Sequence, residues 1–128
     1  MTDQPSSPRV LVVEDMWIVA EDLAAELKEL GCHVLGPAGQ LEQGLQIVQE
    51  EQLDGAFLDV NLGTDNSFPI ATALQAREVP FAFLTGYDLS EVFPPELTDI
   101  PRLNKPLHPG DLATALAAFN HNKPMIGK

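Results

Sequence analysis

The chain has 128 residues, of which 45% are hydrophobic, the size of one domain able to bury a useful core. Its formal net charge of −12 argues against binding nucleic acid through the phosphate backbone and against anionic membranes, since both need a basic face. No apolar stretch approaches the roughly 18 residues of a membrane span, the opening Met1–Arg9 lacks a signal-peptide core, and the single Cys32 excludes an intrachain disulfide.

In chain order, residues 1–8 read as a disordered lead-in, 9–121 as one domain and 122–128 as a loose tail. Val10–Val13 is predicted as a buried strand. Met16–Leu30 reads as a helix, with Val19, Leu23, Leu27 and Leu30 on one face and Gly31 as its C-cap. Val34–Gly36 is a second short strand that Pro37 should end. Leu41–Glu51 is a helix presenting Leu41, Leu45 and Val48, and Ala56–Leu58 is a third strand, apolar on both faces. Residues 61–66 read as a turn-rich loop. Ser67 is placed to cap a third helix to Ala76, with Pro69 early and Ile70, Ala73 and Leu74 inward. Phe81–Leu84 is a fourth strand. Pro94-Pro95 should break any helix in 88–101, so an irregular element is expected there. Arg102–Asn104 is a weak fifth strand, and Pro109–Asn120 a last helix burying Leu112, Leu116 and Phe119.

Alternating strands and helices imply a parallel sheet covered on both faces, and strands apolar on both sides fit that burial. The fold class is α/β: a doubly wound, five-stranded, flavodoxin-like sheet, order 2-1-3-4-5, with an irregular fourth helix. In such sheets ligands bind at the carboxyl ends of the strands.

At those ends the sequence places Glu14-Asp15, Asp59, Thr85-Gly86 and Lys105-Pro106. Three carboxylates brought together repel one another, and such clusters raise a pKa or hold a divalent cation. Oxygen-only donors favour Mg²⁺ over zinc, and Mg²⁺ is commonly completed by a phosphate. Thr85 adds a hydroxyl, Lys105 a point charge and Gly86 close backbone approach. Together they outline a phosphoryl-transfer site with a carboxylate nucleophile. Plainer roles exist beside these. Glu14-Asp15 could cap the first helix, and the bond before Pro106 could be cis. Cys32 reads as a small buried filler, and His33, His108 and His121 as surface or loop residues. Trp17, two residues past Asp15, reads as core or rim packing.

Val12-Val13-Glu14-Asp15, Phe57-Leu58-Asp59-Val60-Asn61, Phe83-Leu84-Thr85-Gly86 and Lys105-Pro106, in this order, resemble the receiver domain of bacterial two-component response regulators, over about Arg9 to Asn120. The resemblance implies that Asp59 accepts a phosphoryl group from a histidine kinase. It implies that Glu14, Asp15, Asp59 and the Asn61 carbonyl serve Mg²⁺, and that Thr85 and Lys105 hold the phosphoryl oxygens. Pro80-Phe81-Ala82-Phe83-Leu84-Thr85-Gly86-Tyr87 is similar to the FATGUY receivers, which often pair with HWE-class kinases; Leu84 departs from their usual Ala. Most receivers carry an aromatic switch residue where this chain has Arg102, which puts the usual coupling in doubt. Tyr87 would replace that ring or shield the acyl phosphate, and segment 88–100 would order on phosphorylation or partner binding.

The function expected is that of a cytoplasmic, stand-alone phosphorelay component or single-domain response regulator, monomeric or weakly dimeric. It would not be a conventional enzyme, catalysing only its own phosphorylation and dephosphorylation. Its expected partners are a sensor histidine kinase of HWE type or a histidine phosphotransfer protein, and a downstream protein. A receiver at the N-terminus of a longer protein, or a phosphorylation-independent pseudo-receiver acting as an interaction module, are the alternatives. A flavodoxin would want a phosphate loop where Glu14-Asp15 stands, and a haloacid-type phosphohydrolase an aspartate at Asn61.

Overall fold

The computed structural model describes residues 7–63, 65–86 and 93–122. Tyr87, most of the lead-in and tail, and the first part of segment 88–100 lie outside them. Among the described residues, β1 (Arg9–Val13), α1 (Trp17–Glu29), β2 (His33–Ala38), α2 (Leu41–Glu50) and β3 (Gly55–Asp59) come first. β4 (Asn61–Leu62), β5 (Asp65–Asn66), α3 (Phe68–Ala76), β6 (Phe81–Thr85), β7 (Arg102–Asn104) and α4 (Asp111–Asn122) follow. The sheet runs β2-β1-β3-β6-β7 and every pair in it is parallel. This is the doubly wound order expected, with one addition: the loop 61–66 closes as a small antiparallel hairpin, β4 with β5.

Alternation along the strands sorts the core into two layers. Val10, Val12, Phe57, Ala82 and Leu84 join Leu23, Leu27, Leu112 and Phe119 from α1 and α4. Leu11, Val13, Ala56, Leu58, Phe81 and Phe83 join Val48, Ile70, Ala71 and Leu74 from α2 and α3. The period of two sends successive side chains to opposite faces, so each strand feeds both layers. Each fully buried Leu or Phe contributes about 1.5–3 kcal/mol.

Several local expectations change. β2 runs through Pro37 rather than stopping there, with a cis Gly36-Pro37 bond. Gly36 has φ +91°, and a Cβ there would lie 2.7 Å from the Ala38 nitrogen, so only glycine fits. Leu30 is the exposed C-cap of α1 and not a core residue, because the helix ends before its side chain can turn inward. Ser67 precedes α3 but makes no side-chain cap; the Phe68 N–H donates to Asn66 Oδ1 (3.0 Å), leaving the buried Ser67 hydroxyl without a partner. Pro94-Pro95 lead into a 3₁₀ turn, Pro95–Leu97, whose Leu97 is fully buried, so this part of 88–100 is packed onto the core. No helix among the described residues is long and apolar enough to cross a membrane.

Candidate functional site

The shared direction of β1, β3, β6 and β7 brings their carboxyl ends to one edge. Glu14 follows β1 immediately, and its N–H donates to the Ala38 carbonyl of β2 (2.9 Å), which fixes its backbone. Its side chain is wholly buried. Oε1 accepts from Lys105 Nζ at 3.0 Å, and Oε2 accepts from the Met16 N–H at 3.2 Å. Asp59 ends β3 and is 8% exposed, with Oδ1 3.3 Å from the same Lys105 nitrogen. Lys105 follows β7 directly; its own N–H donates to the Thr85 carbonyl (2.8 Å), and its bond to Pro106 is cis.

One ammonium therefore serves two buried carboxylates. Burial pushes the Asp59 carboxyl up, and the neighbouring Glu14 charge pushes it further, against the opposing pull of Lys105; the result is a pKa of about 7. Burial works against the Lys105 charge. The hydrogen bond it donates to Glu14 and the charges of Asp59 and Glu14 outweigh that cost and hold its pKa above the ordinary lysine value.

Asp15 is exposed beside this pair, and one oxygen from each of Glu14, Asp15 and Asp59 falls within 4.8 Å of the others. The donor set is all oxygen, excess negative charge is present and one member faces water. That suits a hard divalent cation that keeps part of its hydration. Both Glu14 oxygens already accept hydrogen bonds, so Asp15 and Asp59 are the more available ligands. Glu14-Asp15 do not cap α1, whose N-cap is Met16 without a side-chain bond. Asn61 lies two residues past Asp59, exposed at the start of β4. Thr85 ends β6, buried, and its hydroxyl donates to Asn104 Oδ1 at 3.2 Å.

The fold that carries this edge resembles known proteins over most of its length. SdrG of Sphingomonas melonis Fr1 superposes with a TM-score of 0.79 at 35% identity, covering 91% of this chain and 99% of SdrG. The signal receiver domain of a modulated diguanylate cyclase from Desulfovibrio desulfuricans G20 gives 0.74 at 26% identity, over 90% of this chain and 94% of that one. The chain belongs to the receiver domains of response regulators. A BeF₃-activated conformation of SdrG also matches, with a TM-score of 0.72 at 37% identity over 89% of this chain and 98% of that one. The sensory transduction protein LytT of Bacillus subtilis is 32% identical over 101 residues, 77% of this chain and 42% of LytT. The receiver spans about half the length of the curated relatives first matched, 48% for LytT of Bacillus cereus. No family model matches the chain.

Arg102 lies at the start of the edge strand β7. Its guanidinium lies 4.0 Å from the centre of the Phe93 ring. Phe93 packs on Phe68 and Phe83, with ring centres 5.3 and 5.1 Å away. Arg102 thus closes a column of rings at the sheet edge. Trp17 is not packed in core or rim: it is 72% exposed, between the similarly exposed Met16 and Ile18. Cys32 is buried as expected, and His33 and His108 are exposed.

Sequence reasoning missed Asn104. Its only signal was an amide next to Lys105 at a strand end, and its meaning depends on the Thr85–Asn104 register of β6 against β7.

Proposed function

We propose that this receiver is a phosphoacceptor in which an Asp59 carboxylate oxygen attacks the phosphorus of a phosphohistidine on a partner protein. A new P–O bond forms as the P–N bond breaks, and the imidazole leaves, taking a proton. Water later cleaves the acyl phosphate, returning Asp59 and releasing inorganic phosphate. The observation that carries this reading is the shared ammonium. Lys105 sits within hydrogen-bonding or ion-pair reach of both Glu14 and Asp59, so it can follow the charge from the carboxylate to a phosphoryl oxygen on it.

Mg²⁺ held by Asp15 and Asp59, with Glu14 behind them and the Asn61 carbonyl as a further donor, would neutralise charge on the phosphoryl oxygens and favour ionised Asp59. Thr85 supplies a hydroxyl donor to the same oxygens. The exposed Met16, Trp17 and Ile18, next to Asp15, offer a partner apolar surface at the rim of the site. SdrG, in its BeF₃-activated conformation, supports the reading by likeness. The donor is a histidine kinase, of HWE type on the FATGUY-like motif, or a histidine phosphotransfer protein, and output passes by protein contact. The domain acts as a signalling component in the cytoplasm, as a monomer or weak dimer, with residues 9–121 as its folded unit.

The test is phosphorylation by acetyl phosphate, read by intact mass, with and without Mg²⁺. A Mg²⁺-dependent gain of one phosphoryl group that disappears in Asp59→Asn is expected. A folded wild type that gains none, and does not bind beryllofluoride, would instead be a phosphorylation-independent interaction module.

A further inference from the structure

We propose that Asn104 is a positioning residue that competes with the phosphoryl group for the single hydroxyl proton of Thr85. This rests on the reading of Asp59 as the phosphoacceptor. A threonine hydroxyl has one O–H to donate. Here it is donated to Asn104 Oδ1 at 3.2 Å, while the Thr85 side chain is buried. Thr85 and Asn104 are partners in the parallel register of β6 and β7, so the pairing is set by the sheet. The Thr85 carbonyl also accepts the Lys105 N–H at 2.8 Å, tying the hydroxyl, the amide and the ammonium to one strand end.

For Thr85 to donate to an oxygen on phosphorylated Asp59, it must release Asn104. The two sides of this exchange are unequal in a useful way. Asn104 is exposed, so its freed carbonyl passes to water at small cost. The buried Thr85 hydroxyl has no such recourse and needs a protein or phosphoryl acceptor. Asn104 therefore keeps the hydroxyl satisfied in the resting receiver and sets how readily it transfers. The net value of one such hydrogen bond corresponds to about a 2- to 12-fold effect on affinity for an anion at Asp59.

The experiment is a double-mutant cycle on Mg²⁺-beryllofluoride binding, followed by fluorine NMR, with wild type, Asn104→Ala, Thr85→Val and the double variant. Asn104→Ala is expected to tighten binding by about 2- to 12-fold, and the gain should vanish in the Thr85→Val background. Asn104→Leu, which keeps the bulk and lacks the acceptor, should behave as Asn104→Ala does. A general structural role for Asn104 would change binding equally in both Thr85 backgrounds. That outcome, or unchanged binding in Asn104→Ala and Asn104→Leu, overturns the inference while leaving the phosphoacceptor reading intact. A wild type that neither binds beryllofluoride nor takes a phosphoryl group overturns the phosphoacceptor reading itself.

Discussion

Ionising Asp59 should make this receiver less stable, and the effect should be visible as a pH dependence that Asp59→Asn removes. The carboxyl is pushed from an ordinary 3.8 to about 7 in the folded protein, by burial and by Glu14. Between those values the folded state holds a proton that the unfolded chain has released. Stability is therefore highest on the acid side and falls as pH rises through about 7, the reverse of an ordinary salt-bridged aspartate. Integrating that difference from pH 5 to pH 8 gives a loss of roughly 2–3 kcal/mol. An amide at 59 removes both the titrating carboxyl and its repulsion with Glu14. Urea unfolding of wild type and Asp59→Asn at pH 5 and 8, in EDTA and at equal ionic strength, measures it. The wild type should lose roughly 2–3 kcal/mol more than the variant across that interval. Parallel losses would refute the claim that one shared lysine leaves an excess carboxylate charge at this edge.

Three further outcomes follow from the same geometry. Mg²⁺ should raise the thermal midpoint of the metal-free protein at pH 8 by the linkage expected of a native-state ligand, about 2.7 kcal/mol at a hundredfold excess over its Kd; Asp15→Asn and Asp59→Asn should each blunt the rise in differential scanning calorimetry, and equal rises would exclude this cluster as the metal site. Lys105→Met leaves Glu14 and Asp59 facing each other without a cation and should cost about 3–5 kcal/mol at pH 8, less at pH 5, where Asp59 holds a proton; a penalty independent of pH in urea unfolding would count against shared neutralisation. Arg102→Ala should cost about 0.5–1 kcal/mol through the lost ring contact, as expected for an exposed cation over an aromatic face. Arg102→Tyr, which can stack on Phe93, should recover it, and no loss in Arg102→Ala would show the pair to be idle.

The layers of the fold were legible because burial leaves a simple imprint. Val10–Val13, Ala56–Leu58 and Phe81–Leu84 are apolar on both faces, and only a strand between two helix layers needs that. What escaped were places where local propensity and tertiary demand disagree. Pro37 ordinarily ends a strand, yet Gly36 takes a left-handed turn and the chain continues along β1 to Ala38. Ser67 is a good capping residue on propensity, but packing buries it and hands the cap to Asn66. The hairpin of β4 and β5 carries no alternation long enough to announce itself.

The placement of the site was legible for a different reason. In a parallel sheet, a polar residue that ends an apolar run marks the ligand edge, so the sequence alone places Glu14, Asp15, Asp59, Thr85 and Lys105 together. Which of them touch could not, since that depends on register. Shifting β7 by one residue against β6 would part Thr85 from Asn104 and move Lys105 along the edge, with no change in any motif. The same register sets Arg102 beside Phe83, the ring that Phe93 meets edge to face, where the guanidinium then covers Phe93. A cation held on a ring therefore occupies this position. The strand that delivers Lys105 to the acidic pair is the same one that carries Arg102 and Asn104. One short edge strand and the residue after it thus carry the contacts to Glu14 and Asp59, to Thr85 and to the Phe93 ring.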